Sequence, residues 1–152
     1  QSIEGKIRRV LIRIGIVLST EGGAFKEFAK PVKFGLAPLL GGGKQTVSWI
    51  HIEDLAALFV YALENGMMQG VYNGVAPVPV AQSQLMYSIR KNSKGISIPI
   101  PVPAFVLKIM LGEMSIEVLK SATVSSHKTE QAGFQFQYTT INKAVAALLG
   151  NV

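Results

Sequence analysis

Cysteine is missing from all 152 residues, which removes disulfides and thiolate metal sites from consideration. Long hydrophobic runs are missing too. The longest, Val10 to Leu18, is interrupted by Arg13 and falls far short of the roughly 20 residues that a membrane helix needs. The chain does not open with the charged, apolar and small-residue succession of a secretory leader. These absences fit a cytoplasmic protein with no membrane partner. Histidine is scarce: His51 and His127 lie far apart, no paired carboxylates stand at ligand spacing, and a metal site is not expected.

Acidic residues are few, nine against fifteen Lys and Arg, for a net charge of +6. The excess is uneven. Lys6, Arg8, Arg9, Arg13, Lys26, Lys30, Lys33 and Lys44 face only Glu4, Glu21 and Glu27 in residues 1–44. Such asymmetry suits an anionic partner, such as a phosphate-bearing cofactor or nucleic acid, or an acidic complementary half elsewhere in a longer chain. Nucleic acid is the weaker reading, because the basic residues are dispersed and no aromatics interleave with them to stack bases.

A hydrophobic content of 49% in this length can bury one core. Residues 7–18 are rich in β-branched side chains without clean alternation, the pattern of a parallel strand covered on both faces. Phe25, Phe28 and Ala29 then fall at helical spacing until Pro31, where the helix is expected to stop, and a Gly/Pro-rich loop is expected from Gly35 to Gly43. Thr46 to Ile52 reads as a strand, followed by a helix with Asp54 as N-cap and Asn65-Gly66 as its end. Gly70 to Val75 reads as another strand, and Pro79 leads into a helix carrying Leu85, Met86 and Ile89. Residues 96–103 alternate Ile and Val with Ser and Pro, which suits an edge segment because proline cannot donate to a ladder. Pro103 starts a helix that Gly112 stops, and Thr140 caps a last helix bearing Ile141, Ala144, Val145, Leu148 and Leu149. The class is α/β or α+β with a mainly helical tail.

Gly41-Gly42-Gly43-Lys44 is not a phosphate loop: Pro38 stands where its first Gly belongs, and Gln45 replaces the magnesium-binding Ser or Thr. The dinucleotide fingerprint G-x-G-x-x-G is absent as well, since Thr46 stands at its third glycine. Tyr87 and Lys91 have Tyr-x-x-x-Lys spacing, but with four Tyr and many Lys in the chain they read as an exposed helix face. His51 with Asp54 has the makings of an acid–base pair, though a histidine ending a strand before a helix cap is more often structural. Arg13 sits inside an apolar strand. A guanidinium there must find a carboxylate, with Asp54 and Glu53 the candidates, or reach a ligand such as an anionic cofactor.

Several segments together carry a resemblance: Arg13-Ile14-Gly15-Ile16-Val17-Leu18-Ser19, Gly22-Gly23-Ala24, Gly43-Lys44-Gln45, Ser48-Trp49-Ile50-His51-Ile52-Glu53-Asp54-Leu55, Gly70-Val71-Tyr72-Asn73, Ala76-Pro77-Val78-Pro79-Val80, Leu111-Gly112-Glu113-Met114 and Ala132-Gly133-Phe134-Gln135-Phe136. In this order and spacing the chain resembles the C-terminal half of epimerase-like (NAD-dependent epimerase/dehydratase) proteins of the atypical extended short-chain dehydrogenase/reductase type, whose end is a small domain of unknown function. Ser126 and Thr139 depart from it, standing where relatives tend to have proline.

The resemblance implies the C-terminal part of a Rossmann-like fold. Residues 1–95 would belong to the epimerase domain with its substrate-side elements, and residues 96–152 would be a small helical domain. It implies that the glycine-rich cofactor loop and the catalytic Tyr-x-x-x-Lys lie upstream of Val10 to Leu18, which leaves this chain without a catalytic residue. Arg13, Ile16 and Val17 would meet the cofactor, and Gln45, Ser48 and Trp49 would line the substrate cleft. Val47 stands where sugar-nucleotide epimerases often place a diphosphate-binding arginine, so a nucleotide-sugar substrate does not follow. NAD or NADP is expected in a full-length protein, with none binding this chain alone. The expected partners are an N-terminal half, a small-molecule substrate, and other copies of the chain through oligomerisation or strand exchange. The alternative from another class is a stand-alone binding or assembly module that has lost catalysis.

Overall fold

Gly15 divides the opening apolar run into two strands that take different partners. The computed structural model describes residues 7–111 and 121–150. Gly112, the expected helix stop, lies outside the described residues, as do Glu4, Lys6 and the Gly112–Met114 part of the resemblance. Strand β1 (Val10–Ile14) runs parallel to β6 (Gly70–Gly74), with Arg13 opposite Asn73. Strand β2 (Ile16–Leu18) runs parallel to β5 (Trp49–His51). The switch is bonded on both sides: Gly15 N donates to Gly74 O at 3.2 Å and Ile16 N to Ser48 O at 2.8 Å. A Cβ on Gly15 would lie 2.5 Å from Ser48 O and 2.7 Å from Val75 Cγ1, so only glycine passes here.

The remaining elements cross between these pairs. Helix α1 (Gly23–Lys33) is followed by β3 (Leu36–Leu40) and β4 (Thr46–Val47), then α2 (Ile52–Glu64) after β5. Next come β7 (Val80–Ala81), α3 (Gln82–Asn92), β8 (Ile98–Val102), α4 (Ala104–Leu111), α5 (His127–Gln131) and α6 (Ile141–Gly150). β3 pairs parallel with β8, and β4 antiparallel with β7. Mostly parallel pairs joined through helices make this the α/β class expected. Among the described residues no helix is long and apolar enough to cross a membrane.

Three local expectations give way. Helix α1 continues through Pro31 to Lys33, because the proline sits in the last turn, where one lost backbone bond is tolerated. The loop expected at Gly35–Gly43 contains β3. The ladder contacts to β8 come from Gly35 O and Gly41 N, so the odd-numbered residues face β8 and Pro38 faces away. Its missing N–H therefore costs no ladder bond, and Pro38 O accepts from Gln82 Nε2 at 3.0 Å. The strand expected over Thr46–Ile52 is two strands joined at Ser48.

Helix α2 buries Leu55, Leu58 and Ala62 at helical spacing. Its C-terminal carbonyls are capped from a distance: Arg8 donates to Ala62 O at 2.8 Å, Leu63 O at 3.1 Å and Met68 O at 2.9 Å. One core gathers Leu18, Phe25, Trp49, Met86, Val145 and Leu148, so α6 shares it with α1, β5 and α3. A second joins Leu58, Met68, Tyr72 and Phe134 beneath α2.

Candidate functional site

In an open parallel sheet, ligands gather outside the carboxyl ends of the strands, where neighbouring strands part company. Here that place is the end of β1 and β6, where Gly15 turns the chain toward β5. A hollow of about 320 Å³ lies there, lined by Arg13, Gly15, Asn73, Thr123 and Ser125 among others. Its size admits a phosphate, a carboxylate or a sugar ring.

Arg13 is exposed in this chain, at the end of β1. Neither carboxylate proposed for it is its partner. Asp54 accepts from Gln137 N at 2.8 Å and Tyr138 N at 2.9 Å, while Glu53 accepts from the Tyr138 hydroxyl at 2.7 Å.

Thr123, Val124 and Ser125 also line the hollow, and the segment 121–125 is held against β4, Ser48 and β6. Thr46 N donates to Ser121 Oγ at 2.9 Å, and Ala122 N to Thr46 O at 3.2 Å. Ser48 Oγ donates to Ala122 O at 2.7 Å and accepts from Val124 N at 2.9 Å. Asn73 Nδ2 donates to Ser125 O at 2.9 Å. The structure thus brings Arg13 and Ser48 to one place, through strand ends 33 residues apart in numbering that the Gly15 switch lays side by side.

The other predicted residues sit deeper. Ile16 and Val17 are half-buried, and Ile16 packs on the main core. Trp49 is fully buried, its indole N–H donating to Val78 O at 2.9 Å. Gln45 is buried; its carbonyl accepts from Gln82 N at 2.9 Å, and its side-chain nitrogen has no partner among the described residues. The Gly41-Gly42-Gly43 turn, with φ of 54, 86 and 71°, lays Gly43 O and Gln45 O against the start of α3, where they accept from Ser83 N and Gln82 N. The helix donors that would cradle a phosphate are therefore already used. Tyr87 and Lys91 stand exposed on α3.

Asp54 is not the cap of α2. His51 is, its Nδ1 accepting from Glu53 N at 3.2 Å. The imidazole lies stacked on Tyr138, and its Nε2 is buried with no partner. Burial lowers the His51 pKa, against the opposing pull of Glu53 and Asp54. The hydrogen bond to Glu53 raises that of Tyr138, with burial and the charges of Glu53 and Asp54 acting in the same direction. This cluster fastens α2 to the segment that leads into α6. It is a tie between elements, as the structural reading of His51 and Asp54 expects.

Sequence reasoning passed over Asn73, Thr123 and Ser125 as site residues. Asn73 carried a signal, a polar side chain ending an apolar strand. So did the hydroxyl-rich run Ser121 to Ser126, whose placement depends on contacts with residues some 50 to 75 positions away.

The model of a family described as "Domain of unknown function (DUF1731)" matches residues 102–148. The chain is 36% identical over 138 residues to the Epimerase family protein SDR39U1 of Mus musculus, covering 91% of this chain and 47% of that protein. It is 37% identical over 145 residues to the chloroplastic homolog of Arabidopsis thaliana, covering 94% and 41%. The crystal structure of the human epimerase family protein SDR39U1 (isoform 2) with NADPH superposes with a TM-score of 0.85 at 31% identity, over 95% of this chain and 49% of that one. A UDP-glucose 4-epimerase of Thermus thermophilus with NAD, at TM-score 0.65 and 18% identity over 96% of this chain and 48% of that one, shares the fold. The chain spans about half the length of the curated relatives it matches.

Proposed function

The chain belongs to the epimerase-like proteins of the extended short-chain dehydrogenase/reductase type, matching their C-terminal half, and on that premise we propose that it forms the substrate-side part of an NAD(P)-dependent epimerase or oxidoreductase. The cofactor loop and the proton-transferring Tyr-x-x-x-Lys belong to a preceding half. Arg13 faces the cofactor or substrate at the end of β1, with Ile16 and Val17 behind it, and Gln45, Ser48 and Trp49 support the cleft from β4 and β5. Residues 96–152 make up the small C-terminal domain; the family match over 102–148 supports that division.

One observation carries this reading: the sheet edges are treated unequally. The outward carbonyls of β6 are covered by α5, Lys128 donating to Val71 O and Thr129 to Asn73 O, each at 2.8 Å. The outer edge of β8 is closed by chemistry. Its even residues bond toward β3, which leaves Pro99 and Pro101, without N–H groups, on the free side. Among the described residues, strand β1 has neither protection. Its contacts to β6 run through Arg9 O and Gly15 N, so Val10, Ile12 and Ile14 direct their backbone groups to the far side. Leu11 and Ile14 are 60% and 47% exposed, and Leu11 lines a mainly apolar groove with Phe59 and Leu63 of α2. An edge left open and apolar while two others are closed is built to receive another strand. The covered interior strand that the sequence suggests requires that second half.

Titration with NADPH tests the assignment. The 152-residue chain alone is expected to show no saturable micromolar binding. Binding should appear when the N-terminal half of the mouse relative is supplied in trans. Tight binding by the chain alone would overturn the proposal, because no phosphate-cradling loop is present to account for it.

A further inference from the structure

We propose that Thr123 and Ser125 are ligand-contacting side chains for an anionic oxygen group, a phosphate or a carboxylate, and that Ser48 is a positioning residue that holds them in place. The inference rests on the reading above, that the hollow at the end of β1 and β6 belongs to the ligand cleft.

Among the described residues the lining of the hollow offers donors and no carboxylate: Arg13, Ile14, Gly15, Asn73, Val75 and the segment 123–125. The Arg13 guanidinium has no hydrogen bond or ion pair with a described residue. The Ser125 hydroxyl oxygen accepts from His127 N at 3.1 Å, which leaves its own proton to donate. The Thr123 hydroxyl is exposed and makes no bond to a described residue. A cation that shares the hollow with two hydroxyl side chains, and with no carboxylate among its described lining residues, selects an anion. Asn73 is already committed as a donor to Ser125 O, so its amide fixes the wall.

Ser48 acts one layer further out. Its single hydroxyl donates to Ala122 O and accepts from Val124 N, clasping the chain on both sides of Thr123. Both capacities are spent within the protein, and the side chain is buried. Its influence on a ligand therefore passes through the direction it gives to Thr123.

The test is a nitrogen-15 NMR titration of the complete chain with inorganic phosphate and, separately, with acetate. Saturable shifts at the amides of Thr123 and Ser125 are expected with one of them. Phosphate would assign the site to a phosphate group, and acetate to a substrate carboxylate. Arg13→Leu and the double variant Thr123→Val/Ser125→Ala should each weaken that binding by about tenfold or more, the loss expected for charge-assisted hydrogen bonds. Ser48→Ala should weaken it similarly, and Ser48→Thr, which keeps the hydroxyl, should restore it. Absence of saturable shifts with either anion, or shifts indifferent to Thr123→Val/Ser125→Ala, would overturn the proposal. Anion affinity unchanged in Ser48→Ala alongside a lowered melting temperature would reduce Ser48 to a purely structural role. None of these readouts depends on NADPH or on a second half of the protein.

Discussion

The imidazole of His51 lies flat against the phenol of Tyr138, ring centroids 3.7 Å apart and planes 26° from parallel. One residue ends a parallel strand and the other precedes the last helix, so the stack joins two ends of the fold. The join works with His51 neutral, because Nδ1 must stay unprotonated to accept from Glu53 N.

Acid should loosen this join. The folded state lowers the His51 pKa below 6.5, so the unfolded chain takes up the proton first as pH falls. The contribution is fully present above the unfolded value and is lost below about pH 6.5, toward the lowered folded value. Thermal melts at pH 7.5 and 5.5 should show a drop for the native chain. His51→Asn, which keeps a cap acceptor but does not titrate, should show a smaller one. Equal drops in both would remove His51 as the cause.

Asp54, 2% exposed, supplies both acceptors for Gln137 N and Tyr138 N. Asp54→Ala strands one buried and one part-buried donor and should cost roughly 2–4 kcal/mol in urea unfolding. Asp54→Asn retains one acceptor and should fall between that variant and the native chain.

Gly15 and Gly66 make a matched pair of alanine substitutions. A Cβ at Gly15 meets Ser48 O and Val75 Cγ1 inside contact distance, whereas at Gly66 it meets nothing within 4 Å. Gly15→Ala should destabilise by at least about 2 kcal/mol through overpacking of the strand junction. Gly66→Ala should stay within about 0.5 kcal/mol of the native chain. Similar values for the two would mean that the junction yields more easily than its contacts indicate.

The open edge of β1 should make the isolated chain associate with itself. Sedimentation equilibrium at high concentration is expected to show dimers or larger species, shifted toward monomer by Ile14→Lys, which places a charge on that edge. A native chain that stays monomeric throughout would count against the edge as a receptor for a strand.

Much of the architecture was legible because its causes are local. The spacing of Leu55, Leu58 and Ala62 marks α2 whatever lies around it, and the prolines of β8 foretell an edge because a missing N–H is a property of the residue itself. The β3 strand was hidden, since Pro38 reads as a breaker until its neighbours show which side of the ladder it faces. The cap of α2 was misplaced by three residues for a similar reason: Asp54 has the chemistry of a cap, but two distant backbone donors hold its carboxylate.

The sequence by itself determined the class of fold, the helical faces, the absence of a phosphate loop and Arg13 as the residue to explain. It took the packed chain to show that Arg13 is exposed, that Ser48 holds the backbone of Ala122 and Val124, and that Thr123 and Ser125 line the same hollow as Arg13. Hydrophobic periodicity and hydrogen-bonding capacity are written residue by residue. Which donor meets which acceptor across some 50 to 85 positions is settled when strands and helices pack, with Gly15 as the point where the chain changes partners.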